Sequence, residues 1–258
     1  MNYQAKRKDD ISMYTVIHVI SMVISVIFNT YYGYKLGLTK AKAALSSTVS
    51  LALLYITMIL IPWVESGFKV FGTQNMVKTY VFAPIIFVIV SAIFKIDFRK
   101  VSDMHAVWPM LLHGISHFAC LIPMCCGGYC YLEGTKMYEI SQKLTGTNMF
   151  PNQIGESVAA LIIGAVMFFI AYKKNFKLNG RPFYVMIIVY GINRFCWEFL
   201  RNNNKIIVFG EMTNAESGNF GLSDLSLYSI AMIVMGIAFL VAFHIKDKKA
   251  KAAETVTA

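Results

Sequence analysis

"AALSSTVSLALLYITMILIPWV" occupies residues 43–64 and contains no charged side chain. A helix needs about 20 mostly apolar residues to cross the hydrocarbon core of a bilayer. The stretch therefore predicts a membrane-spanning helix, and it sets the solvent in which the rest of the chain is read. Working outward, six more segments meet the same criterion: 11–33, 79–97, 104–123, 156–173, 181–200 and 225–245. The pattern predicts an all-α integral membrane protein with about seven transmembrane helices. A single domain covers 11–245, between an N-terminal tail, 1–10, and a basic C-terminal tail, 246–258. There is no internal repeat and no low-complexity segment.

Composition agrees. The 258 residues are 57% hydrophobic and 15% charged, with a mean hydropathy of +0.55. Soluble domains average about 45–50% apolar and about 25% charged residues. The net charge is +10 and the sequence pI is 9.3. No basic helix or aromatic RNA-binding motif accompanies that charge, so nucleic acid is excluded as a partner. The Lys and Arg lie mainly between apolar runs, where topology and anionic lipid explain them.

Loop charge predicts orientation. The loops after the first, third, fifth and seventh helices carry 14 Lys and Arg, against 9 on the opposite side. The positive-inside rule then places the C-terminus in the cytoplasm and the N-terminus outside. "MNYQAKRKDD" (1–10) resembles the charged start of a signal peptide. The apolar run after it is too long for one and ends in no small-residue cleavage site, so it reads as a retained tail. Two longer loops, about 124–155 and 201–224, fall outside. Both follow helices with polar residues near their outer ends, so function is expected in the outer half.

"YGINRFCWEFLRNNN" (190–204) places Arg194 and Glu198 four residues apart, with Arg201 three further on. They share one helix face. Ionisable groups on one stripe of a spanning helix are costly and mark function by default; the alternative is an intrahelical ion pair that tethers neighbouring helices. His113 and His117 are also four apart. As metal ligands they would need a third partner, and hydrogen-bonded core histidines are the simpler reading. Cys120, Cys125, Cys126 and Cys130 form no CxxC pair. They read as packing thiols, with a loop disulfide as the alternative. Gly127 and Gly128 permit close backbone approach or a turn that presents N–H groups to an anion. Tyr31 and Tyr32, then Pro151, Gln153 and Glu156, then Ser223, Asp224, Ser226 and Ser229 are further polar marks. Read singly, each is a cap or part of an aromatic belt.

Together and in order, these segments resemble the bacterial prolipoprotein diacylglyceryl transferases. "RFCWEFLR" matches that family's RFxxEFxR at Arg194, Phe195, Glu198, Phe199 and Arg201. "SHFACLIPMCCGG" aligns with its central GRxGxF stretch and the glycine-ended loop, matched by Gly128. "FPNQIGE" resembles HPxQLYE, keeping Pro151, Gln153 and Glu156. "LSDLSLYSIAM" resembles LSxGQxxSxPM, and "YYG" its first-helix tyrosine, matched by Tyr32. The chain departs from the pattern at several points. His117 stands for an arginine, Cys125 for a glutamate and Phe150 for a histidine. Leu225 and Ser226 replace GQ, and no histidine falls near Val77 and Lys78, where the third helix opens in an HGG motif.

The resemblance implies seven spanning helices with the N-terminus outside, in a bacterial plasma membrane. It implies transfer of a diacylglyceryl group from a phosphatidylglycerol-like donor to a peptide or lipoprotein thiol, with no cofactor and no metal. Arg194, His117, Glu198 and Tyr32 are then expected as catalytic residues, and Gly128, Gln153, Glu156 and Arg201 as substrate-binding ones. The chemistry sets three demands: a cation for the phosphate as the glyceryl C–O bond breaks, a group that takes the thiol proton, and a cavity that admits lipid. Arg194 suits the first and His117 the first or second. Two other classes remain open: a non-catalytic lipid-binding or accessory subunit on the same scaffold, and a thiol-redox or metal centre at the Cys/His cluster.

Overall fold

The computed structural model describes residues 3–69, 75–121, 127–176, 178–201, 205–211, 215 and 219–257. Nine helices and one hairpin are described: α1 (Tyr3–Lys35), α2 (Lys40–Glu65), α3 (Met76–Phe94), α4 (Phe98–Met104), α5 (Trp108–Ala119), α6 (Lys136–Thr145), α7 (Asn152–Lys173), α8 (Arg181–Glu198), β1 (Lys205–Glu211), β2 (Asn219–Ser223) and α9 (Asp224–Thr257). By length and composition, four are apolar enough to cross a membrane: α2, α3, α7 and α9 over Asp224–Thr255.

The outside of the bundle explains the composition. On α7, Val158, Ile162, Val166 and Phe169 are exposed at helical spacing, whereas Ala160, Gly164 and Met167 on the other side are buried. A helix apolar all round is at home in a large core or in lipid. The buried faces meet closely. A Cβ on Gly114 of α5 would lie 2.6 Å from Leu161 Cγ and 3.0 Å from the Ser157 carbonyl oxygen of α7. Glycine there lets the two backbones approach, as small residues do between membrane helices.

Contacts at the helix termini define two ends. At one, Tyr32 packs on Phe176 with ring centroids 4.8 Å apart. Lys42 Nζ donates to the Lys95 carbonyl at 3.3 Å, and Arg99 and Arg181 each reach Asp247 at 2.7 Å. At the other, Lys78 lies between Glu65 and Asp224, and Ser223 bonds Glu198. α2, α3, α7, α8 and α9 each run from one end to the other. α4 stays at the first end, where the Asp103 carboxylate accepts from the Gly180 N–H at 3.0 Å.

Three expectations are revised. The helix predicted over 104–123 is interrupted: α4 stops at Met104 and α5 starts at Trp108. Pro109 lies in the first turn of α5. It has no N–H to donate, and in a continuous helix its ring would strike the His105 carbonyl. The segment 201–224, read as a loop, contains the antiparallel strands β1 and β2, and 124–155 contains α6, capped by Thr135 and Gly146. The segments read as tails extend α1 back to Tyr3 and α9 on to Thr257. Isolated bridges Gly128↔Arg201, Cys130↔Met149 and Tyr131↔Ala215 fold the α5–α7 connection over the second end.

Candidate active site

At the second end three helices deliver charge to one buried point. α7 brings Glu156 one turn inside its start. α8 brings Arg194 and Glu198 near its end, with Arg201 just beyond. α5 brings His113 and His117 in its last two turns. Glu156 is 1% exposed and Glu198 0%.

Glu156 is the hub. One of its oxygens pairs with Arg194 Nη1. The other receives Arg201 Nη2 at 2.7 Å and Nε at 2.8 Å. His117 Nδ1 lies 3.5 Å from the Arg194-bound oxygen. Glu198 forms a second layer: its Oε2 meets Arg194 Nη2 at 3.1 Å, and its Oε1 accepts from the Ser223 hydroxyl at 2.7 Å. Two guanidiniums thus balance two carboxylates. An unpaired charge at this depth is prohibitive, so the four groups form one unit.

The histidine tautomers follow from donor inventory. Arg201 Nη2, which can only donate, faces His117 Nε2 at 3.4 Å. With its lone pair on that nitrogen, His117 accepts from Arg201 and turns Nδ1 toward Glu156. His113 stacks on His117 with centroids 4.8 Å apart and a 26° tilt. Its Nε2 meets the Tyr190 hydroxyl at 3.0 Å and its Nδ1 faces Met76 Sδ at 3.1 Å. Ligand atoms of His113, His117 and Glu156 lie within 4.8 Å of one another, as a metal site would require. Guanidiniums already engage both Glu156 oxygens, however, and a cation placed among them would be repelled.

Gly128 closes the site from above. Its N–H donates to the Phe150 carbonyl at 2.7 Å. A Cβ there would lie 2.6 Å from the Leu200 carbonyl oxygen and 3.0 Å from Asn152 Nδ2, so only glycine fits. Lys205 Nζ donates to the Glu198 and Arg201 carbonyls, 3.0 Å each, satisfying acceptors at the end of α8 as a C-terminal cation does. Burial lowers the pKa of this ammonium, and Arg201 adds to the shift while Glu198 opposes it.

Seven of the eight expected site residues are at this end: Arg194, His117, Glu198, Glu156 and Arg201 in the network, Gly128 above it, and Gln153 in the first turn of α7. Tyr32 is not. It packs against Phe176, beyond the far end of α7 from Glu156, about 30 Å away by helical rise. The tyrosine lies in the last turn of α1, at the opposite end of the bundle from the network. The expectation of a catalytic Tyr32 is therefore corrected. Cys125 and Cys126 lie outside the described residues. Cys120 Sγ donates to the Ser116 carbonyl at 3.7 Å. Lys78, near the position of the family's third-helix histidine, is pinned between Glu65 and Asp224, with its Nζ 4.9 Å from the Tyr228 ring centre.

Sequence reasoning ranked His113 low and missed Tyr190, Met76 and Lys205. A signal existed for Tyr190, which precedes Arg194 by four residues on the same helix face. None existed for Met76 and Lys205, which arrive from other elements.

A sequence profile of the prolipoprotein diacylglyceryl transferase family matches residues 4–242. The chain belongs to that family. It is also 28% identical over 161 residues to a protein of Clostridium perfringens (strain 13 / Type A) named phosphatidylglycerol–prolipoprotein diacylglyceryl transferase 2. That match covers 60% of this chain and 56% of the relative, so the chain spans little more than half the length of the curated relative it matches.

Proposed function

We propose that this protein is a membrane transferase that moves a diacylglyceryl group from an anionic phospholipid, of which phosphatidylglycerol is the type, to a thiol, with a lipoprotein cysteine as the acceptor. The observation that carries the reading is the buried Glu156–Arg194–Arg201–His117 network at one end of an apolar bundle, in a chain of this family. In the proposed topology seven helical passes cross a bacterial plasma membrane, the N-terminus lies outside and the C-terminus in the cytoplasm. α5 is then the short fourth pass and the network lies in the outer leaflet.

The reaction uses the network as follows. The donor phosphate lies against Arg194 and Arg201, sharing their guanidiniums with Glu156 and Glu198. His117 Nε2 takes the proton of the acceptor thiol. The thiolate attacks the glyceryl carbon next to the phosphate, a C–S bond forms, and the C–O bond breaks. Its electron pair leaves on the phosphate oxygen, whose charge the guanidiniums stabilise. Gly128, Gln153 and the loop backbone line the headgroup side.

A cavity of about 260 Å³ supports the lipid half of the reading. It lies among α1, α2, α3 and α5, and Met22, Val26, Leu51, Met58 and Trp108 line it. Met76 and Tyr80 form its wall on the site's side, and it is Met76 that touches His113. An acyl chain in the cavity would have its headgroup end at the network.

A second reading, a non-catalytic lipid-binding relative, draws on Lys78. Where the family has a histidine, this chain has a cation locked between two acids. One experiment separates the two: expression in cells depleted of their own diacylglyceryl transferase, with lipoprotein lipidation followed by mass spectrometry. Restored lipidation that is lost in Arg194→Lys supports the transferase, because an ammonium cannot hold two carboxylates as a planar guanidinium does. Phospholipid binding without lipidation supports the second reading.

A further inference from the structure

The first turn of α7 carries polar groups that the network does not use. Asn152 and Gln153 are both 0% exposed, and neither the oxygen nor the nitrogen of either amide meets a hydrogen-bonding partner. Each orphaned group is costly when buried, and native structures retain few of them. Asn152 is well placed: it lies one turn before Glu156 on the same face of α7. Its Nδ2 lies against Gly128, the residue that bridges to Arg201. The unpaired amide thus adjoins the Arg201 end of the network.

The pattern of vacant atoms selects the ligand. A phosphate or carboxylate only accepts and would leave the amide oxygens unpaired. An ammonium only donates and would leave the amide nitrogens unpaired. A hydroxyl does both and satisfies both halves of a carboxamide. We propose that Asn152, with Gln153, reads the hydroxyls of a polyol headgroup and so makes this protein discriminate among anionic phospholipids. This rests on the phospholipid-donor reading above. It adds that the donor is selected by hydroxyls beyond the phosphate, and that Asn152, at the variable position of the FPNQIGE stretch, is a specificity residue.

The test compares two lipids of equal charge: phosphatidylglycerol and phosphatidylethanol with identical acyl chains. Both are singly anionic phosphodiesters, and only the first carries headgroup hydroxyls. Competition for the purified full-length protein is read by native mass spectrometry, beside the thermal midpoint. The wild type is expected to prefer phosphatidylglycerol by about tenfold or more, since a site built to pair a hydroxyl rejects the analogue that lacks it. Asn152→Leu should bring the preference to within about twofold while phosphatidylethanol still binds, with a thermal midpoint unchanged or raised because an orphaned buried amide has been removed. Asn152→Ala should lose the preference in the same way, and Gln153→Met should lower it. A preference that survives Asn152→Leu overturns the proposal. So does a variant that loses both lipids together and melts earlier, or an Asn152 that tolerates neither replacement, because the amide is then structural. A wild type that binds both lipids equally overturns selection by hydroxyls but leaves a phospholipid donor standing. A wild type that binds neither removes the donor reading itself.

Discussion

Glu156 shows how one residue changes its meaning once its neighbours are known. On sequence it is a helix-start acid with a plausible contact to substrate, and Arg194 has Glu198 as its natural partner. In the fold Glu156 receives both Arg194 and Arg201, and Glu198 stands behind them. Removing its charge leaves two guanidiniums beside a single carboxylate. Glu156→Gln is therefore expected to abolish lipid transfer and to destabilise the protein by about 3 kcal/mol or more, the scale for breaking a buried pair. Adding Arg201→Met should recover part of that stability but none of the activity. Thermal denaturation beside a lipidation assay reads both. A Glu156→Gln protein with wild-type stability would mean that the network is not a balanced unit.

At the scale of elements, α4 is held to the turn before α8 by a carboxyl group, and this contact carries a pH signature. Burial of Asp103 raises its pKa from 3.8 to about 7, against the lowering by the Gly180 and Leu178 N–H groups and by Arg99. The folded chain then keeps a proton that the unfolded chain releases near pH 4. Stability falls as pH rises from about 4 to about 7 and is flat beyond, with a span of about 4 kcal/mol at most. Asp103→Asn retains the acceptor for Gly180 and removes the titration. The variant is expected to gain stability over the wild type progressively between pH 4 and pH 7, read as the difference in thermal midpoint across a pH series. A constant difference would show that Asp103 is as easily ionised as in the open chain. The β1–β2 hairpin is held by contacts of another kind. Its exposed Ile206, Val208 and Phe209 show no inside and outside alternation. Two-stranded ribbons are marginal alone, and this one is attached through Lys205 to the end of α8 and through Phe220 to Phe199, whose ring centroids lie 5.3 Å apart.

For the whole molecule, the two ends of the bundle differ in kind. One gathers Lys42, Lys95, Arg99 and Arg181, the two arginines sharing Asp247. The other gathers the balanced network and the Lys78 clasp. The excess of basic residues at the first end predicts that it is cytoplasmic. A reporter fused after Ala258 should therefore respond as cytoplasmic, and one inserted within α6 as exterior. Both reporters on the same side would remove the odd number of crossings between them and with it the seven-pass topology.

Much of this was legible in the residues alone. Membrane helices such as 43–64 and 225–245 are visible because each must bury an apolar surface in lipid, a requirement local to about 20 residues. The spacing of Arg194, Glu198 and Arg201 on one face follows from helical geometry and needs no partner. The break at Pro109 is local too, although a hydropathy window averages over it. The hairpin stayed hidden because β1 lacks alternation, and across its apolar run, Ile206 to Phe209, the period-two signal vanishes. The remainder was decided by tertiary structure. Which acid Arg194 pairs with, the stacking of His113 on His117, and the placing of Tyr32 at the far end of the bundle from the site all depend on how helices distant in sequence pack. A single chain records that a buried charge must be compensated; only the fold determines which group compensates it, because the partner comes from whichever helix packing brings within about 3 Å.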